Sequence, residues 1–306
     1  MSVCVLGSLN LDIVCRVAEL PGPGETVIGR RVDRFTGGKG ANQAIAAAAY
    51  GAKTAMIGAL GRDEAADLLL AHLAAVGVDA GGIVQLEGMT SGHGYIHVSD
   101  AGENMIVVIS GANAALADAH VRADRLSGHS VFLTQLETPV AVTARAFASP
   151  EVQAGTTILN AAPAHPEGAA LFPLMDILVV NETELAQFAG LARAPEALDE
   201  VAAAARRLLC RPGQTVVVTL GAAGAAAVTA DDAFQVEGLP AKVIDTTGAG
   251  DCFCGVLAAA LSEGAELRAA MTAANAAAGL STETAGAAAS MPTRGAVEKR
   301  LGGTPR

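Results

Sequence analysis

The chain has 306 residues, of which 51% are hydrophobic and 17% are charged, and its formal net charge is −11. This composition supplies a sizeable buried core and excludes a largely disordered chain. Because an acidic surface repels phosphate backbones, nucleic acid is a poor candidate partner.

The first third of the chain combines one buried strand with two exposed β segments. SVCVLG predicts a strand that ends at Gly7, and it lacks the basic start of a signal peptide. Residues 10–36 alternate short pieces with Pro-Gly breaks, which is typical of exposed strands and turns. Residues 90–110 predict a hairpin with its turn at Asp100–Gly102. Two such β segments, inserted into one α/β body, can pair with each other as a small sheet, and we expect that sheet to form a lid.

Helical and strand patterns alternate through the rest of the chain. ANQAIAAAAYGA predicts a helix, TAMIGALG a strand, and DEAADLLLAHLAAVG an amphipathic helix closed by Gly77. VFLTQL, TTILNAA, DILVVN and TVVVTLG are apolar runs typical of parallel strands. Further helices are predicted over Asp199–Arg211, Gly255–Leu261 and Leu267–Leu280. These patterns predict an α/β body with a parallel sheet, which binds ligands at the carboxyl ends of its strands.

Two early motifs follow predicted strands. Asn10 and Asp12 share a face on extended backbone and can bind the hydroxyls of a polyol, although taken alone they are better explained as turn residues. Gly37–Ala44, GGKGANQA, is a glycine loop before a helix and lacks the GxxxxGK[ST] pattern of a Walker A loop. Its glycines allow close approach to a ligand, and a hinge or a plain helix start is the alternative.

Four later strand ends carry polar or glycine-rich turns. Glu137 can accept hydroxyl hydrogen bonds or is an ordinary surface carboxylate, and NAAPA at 160–164 forms a similar turn. Asn181 and Glu184 match a capping box in which Asn replaces Ser or Thr, and oxygen ligands near Mg²⁺ and phosphate are the alternative. Thr219–Gly224 lacks the full GxGxxG pattern, which leaves a nucleotide-contacting loop and a plain β-turn open.

The stretch Asp245–Asp251, DTTGAGD, is the most informative motif. Gly248 and Gly250 would expose backbone N–H groups at the start of a helix, where unpaired donors and the helix dipole favour an anion. Asp251 then stands either as a structural cap or where a carboxylate can take the proton from a hydroxyl that attacks a phosphoryl group.

The five cysteines are irregularly spaced and match neither a zinc framework nor a CxxC motif. This usage predicts reduced thiols in a cytosolic protein. Cys252 and Cys254 are interpreted as packing residues, although a helix N-terminus can lower a thiol pKa and make the thiol reactive.

Taken in order, the motifs resemble those of the ribokinase-like carbohydrate kinase superfamily. The resemblance is carried by GSLNLD, LPGPGET, GGKGANQA, GALGRD, GENMIVVISGANA, NAAPA, NETE, TLGAAG, DTTGAGD and a late PTR. It implies a single domain over 1–306, built as a three-layer α/β/α sandwich with a mainly parallel sheet, and a β lid from 10–36 and 90–110. It also implies ATP-dependent phosphorylation of a sugar CH₂OH, expected to be the 5-hydroxyl of D-ribose, which gives D-ribose 5-phosphate and ADP.

By this resemblance, individual residues receive roles. Asp251 would be the general base, and backbone donors at Ala249–Asp251, opened by Gly248 and Gly250, would form an anion hole. The residues implied for sugar binding are Asn10, Asp12, Gly38, Lys39, Gly40, Asn42, Glu137 and Asp251. The residues implied for nucleotide binding are Asn181, Glu184, Thr219, Leu220, Gly221, Gly224, Gly250 and Asn275, with Glu184 near Mg²⁺.

The resemblance further implies activation by a monovalent cation, usually K⁺. The residues implied for its site are Asp245, Thr247, Ser281, Thr284, Gly286 and Ser290, several through main-chain oxygens. Asp245 would thereby brace the anion hole while Asp251 transfers the proton. A homodimer joined through the lids, a cytoplasmic location, and the absence of nucleic-acid and membrane partners complete these expectations.

Two departures from the usual motifs leave the substrate open. Leu11 and Gly248 stand where close members of the superfamily often carry Ala. A kinase of a related sugar or nucleoside is therefore the alternative, and the few aromatic residues argue against a nucleoside. A non-catalytic sugar-binding protein is a third hypothesis, against which the intact Asp251 and its two glycines argue.

Overall fold

A computed structural model describes residues 2–302, so Met1 and residues 303–306 of the expected domain lie outside the description. The strands, in chain order, are β1 (Ser2–Leu6), β2 (Asn10–Arg16), β3 (Arg31–Gly37), β4 (Lys53–Gly61), β5 (Val78–Leu86), β6 (Gly92–Val98), β7 (Asn104–Ile109), β8 (Val131–Thr134), β9 (Thr156–Asn160), β10 (Ile177–Asn181), β11 (Thr215–Thr219), β12 (Ala225–Val228) and β13 (Ala233–Val236). The α-helices are α1 (Lys39–Ala49), α2 (Glu64–Ala75), α3 (Ala123–Leu126), α4 (Val140–Phe147), α5 (Pro150–Gln153), α6 (Glu182–Ala189), α7 (Leu198–Arg206), α8 (Ala249–Ser262), α9 (Leu267–Ser281) and α10 (Arg294–Arg300).

The larger of two sheets has nine strands in the order β13-β12-β11-β10-β9-β8-β1-β4-β5. Every neighbouring pair from β11 to β5 is parallel, whereas β12 and β13 extend one edge as antiparallel strands. The parallel pairs place the carboxyl ends of their strands along a single edge, which is where open α/β sheets bind ligands.

Helices cover both faces of this sheet because its strands are apolar on both sides. In β1, Val3 and Val5 join one core with α1, α2, α8 and α9, while Cys4 and Leu6 join a second core with α4, α6 and α7. This division follows from the alternation of side chains along a strand. The predicted three-layer α/β/α sandwich with a mainly parallel sheet is therefore confirmed. Within residues 2–302, no helix has the length and apolar character needed to cross a membrane.

The smaller sheet has four strands in the order β3-β2-β6-β7 and is built from the two exposed segments that the sequence indicated. Its central pair, β2 and β6, is parallel, and β3 and β7 flank that pair as antiparallel edge strands. β2 follows β1 after a three-residue link, and α1 begins two residues after β3 ends. The small sheet is thus tied closely to the body at the carboxyl edge of the large sheet.

The structure corrects some predicted boundaries. The helix expected over Asp199–Arg211 ends at Arg206, after which the N–H groups of Leu208 and Leu209 form turn hydrogen bonds to carbonyls three residues earlier. The helix expected from Gly255 begins earlier, at Ala249, and runs to Ser262. Strands β5, β12 and β13 and helix α10 were not predicted.

Candidate active site

A cavity of about 220 Å³ lies beyond the carboxyl ends of β9, β10 and β11, against the first turn of α8. It is lined by Lys39, Asn160, Ala162, Val179, Asn181, Glu184, Thr219, Gly248, Gly250, Asp251 and Cys254. Residues separated by more than 200 positions therefore meet here because parallel strands end at a common edge. Seven of these residues belong to the predicted catalytic, sugar or nucleotide sets: Lys39, Asn181, Glu184, Thr219, Gly248, Gly250 and Asp251.

Helix α8 begins with a glycine turn that leaves two donors free. Gly248 is the N-cap and has φ 78°, and a Cβ there would lie 2.7 Å from the Cβ of Ala287. Ala249 N–H donates to the carbonyl of Thr246 at 3.2 Å. Within residues 2–302, the N–H groups of Gly250 and Asp251 have no hydrogen-bond partner. These two groups, rather than all three that were expected, are available to an anion at the positive end of the helix.

Asp251 does not act as the cap of α8. Its side chain is only 7% exposed, and both carboxylate oxygens accept hydrogen bonds from the start of α1. Asn42 Nδ2 donates to Oδ2 at 2.9 Å, and Gln43 Nε2 donates to Oδ1 at 2.9 Å. The carboxylate is thus held in a fixed position at the floor of the cavity.

Close approach of α1 to the link between β1 and β2 depends on two glycines. Gly38 has φ 85°, and a Cβ there would lie 2.7 Å from the backbone nitrogen of Asn10. A Cβ on Gly40 would lie 2.6 Å from the backbone nitrogen of Ser8. Gly38 and Gly40 therefore allow two segments of the protein's own backbone to approach each other, whereas the glycine loop was expected to allow close approach to a ligand.

The polar residues expected to bind sugar lie around this junction. Asn10 Oδ1 accepts a hydrogen bond from Asn113 Nδ2 at 2.8 Å, which leaves the Asn10 amide nitrogen as a donor. Glu137 Oε2 accepts from Ser8 Oγ at 2.5 Å and from the backbone N–H of Lys39 at 3.1 Å. In Asn10 and in Glu137, one polar side-chain atom accepts hydrogen bonds within the protein, and the other remains available to a ligand.

The pKa shifts of Asp12 and Lys39 show that charged groups lie close together here. Burial, and then the nearby carboxylates of Glu137 and Asp251, raises the pKa of Asp12 to about 7. The carboxylate of Asp251 is the main cause that raises the pKa of the Lys39 ammonium. Asp12 and Lys39 therefore share an electrostatic environment with the candidate base.

The residues expected to bind nucleotide divide into two groups. Asn181 and Glu184 line the cavity and form the predicted capping box, with bonds of 2.8 and 2.9 Å between side chains and backbone. Burial raises the pKa of Glu184 above its ordinary value. Leu220, Gly221, Gly224 and Asn275 do not line the described cavity. Of these, Gly224 lies against the backbone of residues 236–238, and Asn275 Nδ2 donates to the carbonyl of Val236 at 3.0 Å.

The expected cation site is partly assembled by hydrogen bonds. Asp245 Oδ1 accepts from the backbone and hydroxyl of Thr247, at 2.9 and 2.6 Å, and Oδ2 accepts from Gly286 N–H at 2.9 Å. Burial alone would raise the pKa of Asp245, but these hydrogen bonds outweigh it and lower that pKa. The Ser281 and Ser290 hydroxyls donate to carbonyls three residues earlier, and Thr284 N–H bonds to the Ser281 carbonyl. In the part of the chain that is described, no hydrogen bond joins these three residues to Asp245.

Sequence reasoning missed several buried polar residues. Gln43 stands inside GGKGANQA and Asn160 inside NAAPA, so both motifs were noticed but neither residue was given a role. Ser8, Asn113 and Gln135 also stand inside quoted stretches, GSLNLD, GENMIVVISGANA and VFLTQL, but they were given no role because their partners lie far away in sequence. The suggestion of a reactive thiol is wrong for the helix-start cysteines: burial raises the pKa of Cys252 to about 12 and that of Cys254 well above its ordinary value.

Comparison with known proteins agrees with this geometry. The family model described as pfkB family carbohydrate kinase matches residues 1–294. A ribokinase of Haemophilus influenzae is 36% identical over 96% of each chain. A bifunctional ribokinase/ribose-5-phosphate isomerase A of Fructilactobacillus sanfranciscensis is 38% identical over 96% of this chain, which spans only 55% of that longer protein. The structure of Arabidopsis thaliana ribokinase complexed with ribose and ATP matches with a TM-score of 0.90 and 30% identity, over 99% of both chains.

Proposed function

This chain belongs to the pfkB family of carbohydrate kinases, and we propose that it transfers the γ-phosphoryl group of ATP to the 5-hydroxyl of D-ribose. The products are D-ribose 5-phosphate and ADP. The support is a relative named ribokinase that aligns along nearly the whole of both chains, together with the fold of a ribokinase that binds ribose and ATP.

One observation carries the proposal: the buried carboxylate of Asp251 lies beside the free N–H groups of Gly250 and Asp251. In the reaction, the sugar oxygen attacks the γ-phosphorus and its proton passes to Asp251. The bond from that phosphorus to the bridging oxygen breaks, and ADP leaves. The two N–H groups stabilise the charge on the transferring phosphoryl oxygens, which is most of what such a reaction requires of a protein.

The sugar would bind where the small sheet meets the body. Asn10 offers an amide donor, and Asp12 and Glu137 offer carboxylate acceptors, a combination that suits a neutral molecule with several hydroxyls. Asn42 donates to Asp251, the Lys39 N–H donates to Glu137, and Lys39 lines the cavity together with Asp251. Gly38 and Gly40 let the start of α1 pack against the link that leads to Asn10. The 5-hydroxyl would thereby be directed toward the base.

The nucleotide phosphates and Mg²⁺ would occupy the cavity on the side of Asn181, Glu184 and Thr219. Glu184 fits a role near Mg²⁺ because one of its oxygens holds the capping box while the carboxylate lines the cavity. When bound, Mg²⁺ would neutralise phosphate charge. Leu220, Gly221, Gly224 and Asn275 would contact the rest of the nucleotide.

A monovalent cation, K⁺ by preference, would be held around Asp245. The lowered pKa of that carboxyl keeps it ionised, and carboxylate and carbonyl oxygens suit a hard cation. When bound, the cation would supply a fixed positive charge behind the loop that leads to Gly248. Thr247, Ser281, Thr284, Gly286 and Ser290 are the further proposed contacts.

We also propose a homodimer joined through the small sheets and a cytoplasmic location, where ATP is supplied. Strand β7 is an edge strand, and five consecutive apolar side chains on it, from Met105 to Ile109, are each 45–55% exposed. An exposed apolar edge strand invites pairing with another chain unless a partner covers it. A second copy of this chain supplies a matching edge.

The test is ADP production with Mg-ATP against ribose, deoxyribose, fructose, adenosine, cytidine, pseudouridine and ketodeoxygluconate, each with K⁺ or with Na⁺. We expect the highest kcat/KM for ribose and a higher rate with K⁺. Preference for another member of the panel would replace ribose as the substrate, and equal rates in the two salts would contradict the cation site.

The matched variant is Asp251→Asn, which removes the base and keeps the shape. We expect binding of ribose and ATP to persist while kcat falls on the order of 10³-fold. Asp231→Asn is the control, because Asp231 is exposed between β12 and β13. Near-wild-type turnover by Asp251→Asn would remove Asp251 from the role of base.

A further inference from the structure

We propose that Gln43 is a positioning residue for Asp251, and that Asn160 and Gln135 fix its amide so that the nitrogen faces the carboxylate. This inference rests on the proposed function for its catalytic consequence. Gln43 is fully buried and does not line the cavity, so it acts on the reaction through Asp251 and not through the substrate.

The Gln43 amide uses both of its donors and its acceptor. Nε2 donates to Asp251 Oδ1 at 2.9 Å and to Asn160 Oδ1 at 3.0 Å. Oε1 accepts from Gln135 Nε2 at 2.6 Å. A primary amide has two N–H donors, so both are spent on these two neighbours. With the amide reversed, its oxygen would face two other oxygens in a buried site.

The direction of this network is set by the backbone. Asn160 Nδ2 donates to the carbonyl of Val179 in strand β10 at 3.4 Å, and a backbone carbonyl can only accept. Asn160 must therefore turn its oxygen toward Gln43, which turns the nitrogen of Gln43 toward Asp251. Gln135 is the last residue of this hydrogen-bond network, and its own Oε1 is buried without a hydrogen-bond partner among the described residues. The orientation of Gln135 thus depends on its bond to Gln43.

The amide donors of Asn42 and Gln43 affect both the orientation and the charge of the Asp251 carboxylate. The bonds from Asn42 and Gln43 stop it from rotating, and they stabilise its ionised form, which is the form that can accept a proton. Asn42 belongs to the expected sugar site, whereas no role has been attached to Gln43. A misplacement of about 1 Å in a reacting group can cost about 100-fold in rate.

The titratable groups that face Asp251 come from four elements. They are Asp12 of β2, Lys39 of α1, Glu184 of α6, and Cys252 and Cys254 of α8. Because all of them remain in the variants below, a change in kcat reports the loss of the amide donor and not the loss of a neighbouring charge.

Gln43→Leu removes the donor at similar volume. We expect kcat to fall about 10- to 100-fold, while KM for ribose changes by less than about threefold. A merely structural role would lower the amount of folded protein and leave kcat, expressed per folded molecule, unchanged.

Gln135→Leu is the second variant, and it removes the donor to Gln43 Oε1 without adding a titratable group. We expect the same direction of change in kcat as in Gln43→Leu, because the Gln43 amide loses the contact that fixes its orientation. Gln153→Leu is the control, since within residues 2–302 the Gln153 side chain donates to the backbone carbonyls of Phe147 and Leu174 and does not line the cavity.

A second readout needs no turnover. In protein with ¹³C-labelled aspartate carboxyls, the Asp251 signal is assigned by its loss in Asp251→Asn, and we expect its chemical shift at a fixed pH to change in Gln43→Leu and Gln135→Leu, because a hydrogen-bond donor to the carboxylate is lost or displaced. An unchanged signal and unchanged kcat in folded variants would overturn the inference. Failure of the proposed function is distinguishable, because wild-type protein would then phosphorylate no ribose while the comparison of signals still decides the role of Gln43.

Discussion

Asp12, on strand β2 of the small sheet, has a raised pKa. Its neighbours across the sheet include glycines, and a Cβ on either Gly37 or Gly94 would overlap its carboxylate oxygens. The carboxylate thus lies over bare backbone, where burial and nearby acids raise its pKa to about 7. An Asp in the unfolded chain loses its proton near pH 3.8. The raised pKa of Asp12 therefore lowers the free energy of unfolding of the ligand-free protein as the pH rises from about 4 to 7.

Ribose binding should therefore strengthen with pH. The ionised form of Asp12 would accept hydrogen bonds from sugar hydroxyls, and with a pKa of about 7 its ionised fraction rises about tenfold between about pH 6 and about pH 8. We expect the Kd for ribose, measured by titration calorimetry without ATP, to fall by about the same factor. Asp12→Asn should bind more weakly with little pH dependence. A wild-type Kd that stays constant across this range would contradict the role of Asp12.

At the scale of elements, the site depends on how closely α1 packs on α8. Gly255 lies one turn after Asp251 on the same face of α8, and a Cβ there would overlap the backbone oxygen of Gln43 and lie 2.6 Å from the Cβ of Ala46. This close packing brings Asn42 and Gln43 within hydrogen-bond distance of Asp251. A single glycine on one helix therefore sets the geometry of a carboxylate on the preceding turn.

Gly255→Ala tests that packing. Alanine is the better helix former by about 1 kcal/mol, but a methyl group pressed into backbone costs about 1–3 kcal/mol, so overpacking should win. We expect a lower Tm and a kcat reduced about tenfold or more, because α1 must move away from Asp251. Gly295→Ala in α10 is the matched control, since nothing lies within 4 Å of a Cβ there. A variant with higher Tm and full activity would show that the packing is not tight.

The elements that the sequence predicted are those whose signal is local. β8, β10 and β11 are continuous apolar runs, and α2 is marked by Asp63 at its start and Gly77 after its end. β5 was missed because Gly81 and Gly82 interrupt its apolar pattern, and β12 because AAAV is weak in β propensity. Likewise, motifs identified Asp251 and Asn42, but no local rule pairs Gln43 with Asp251 across 208 positions.

At the scale of the whole molecule, the proposed sugar site lies on the boundary between two sheets. β2 carries Asn10 and Asp12, and β3 leads within two residues into Lys39 and α1. Contacts between the small sheet and the body also join Thr36 to His72 and Arg34 to Glu64. Any movement of the small sheet must therefore change the geometry of the residues proposed to bind sugar, which is how a lid over this site would act.

Dimerisation should fix the free edge of that sheet. We expect light scattering at micromolar concentration to give about twice the chain mass of 30.5 kDa. Val107→Lys places a charge in the exposed apolar run of β7 and should yield monomers, because burying an unpaired ammonium costs more than covering the strand gains. Leu198→Lys, on the exposed start of α7, should remain dimeric. A wild-type monomer, or a dimer that survives Val107→Lys, would place the interface elsewhere.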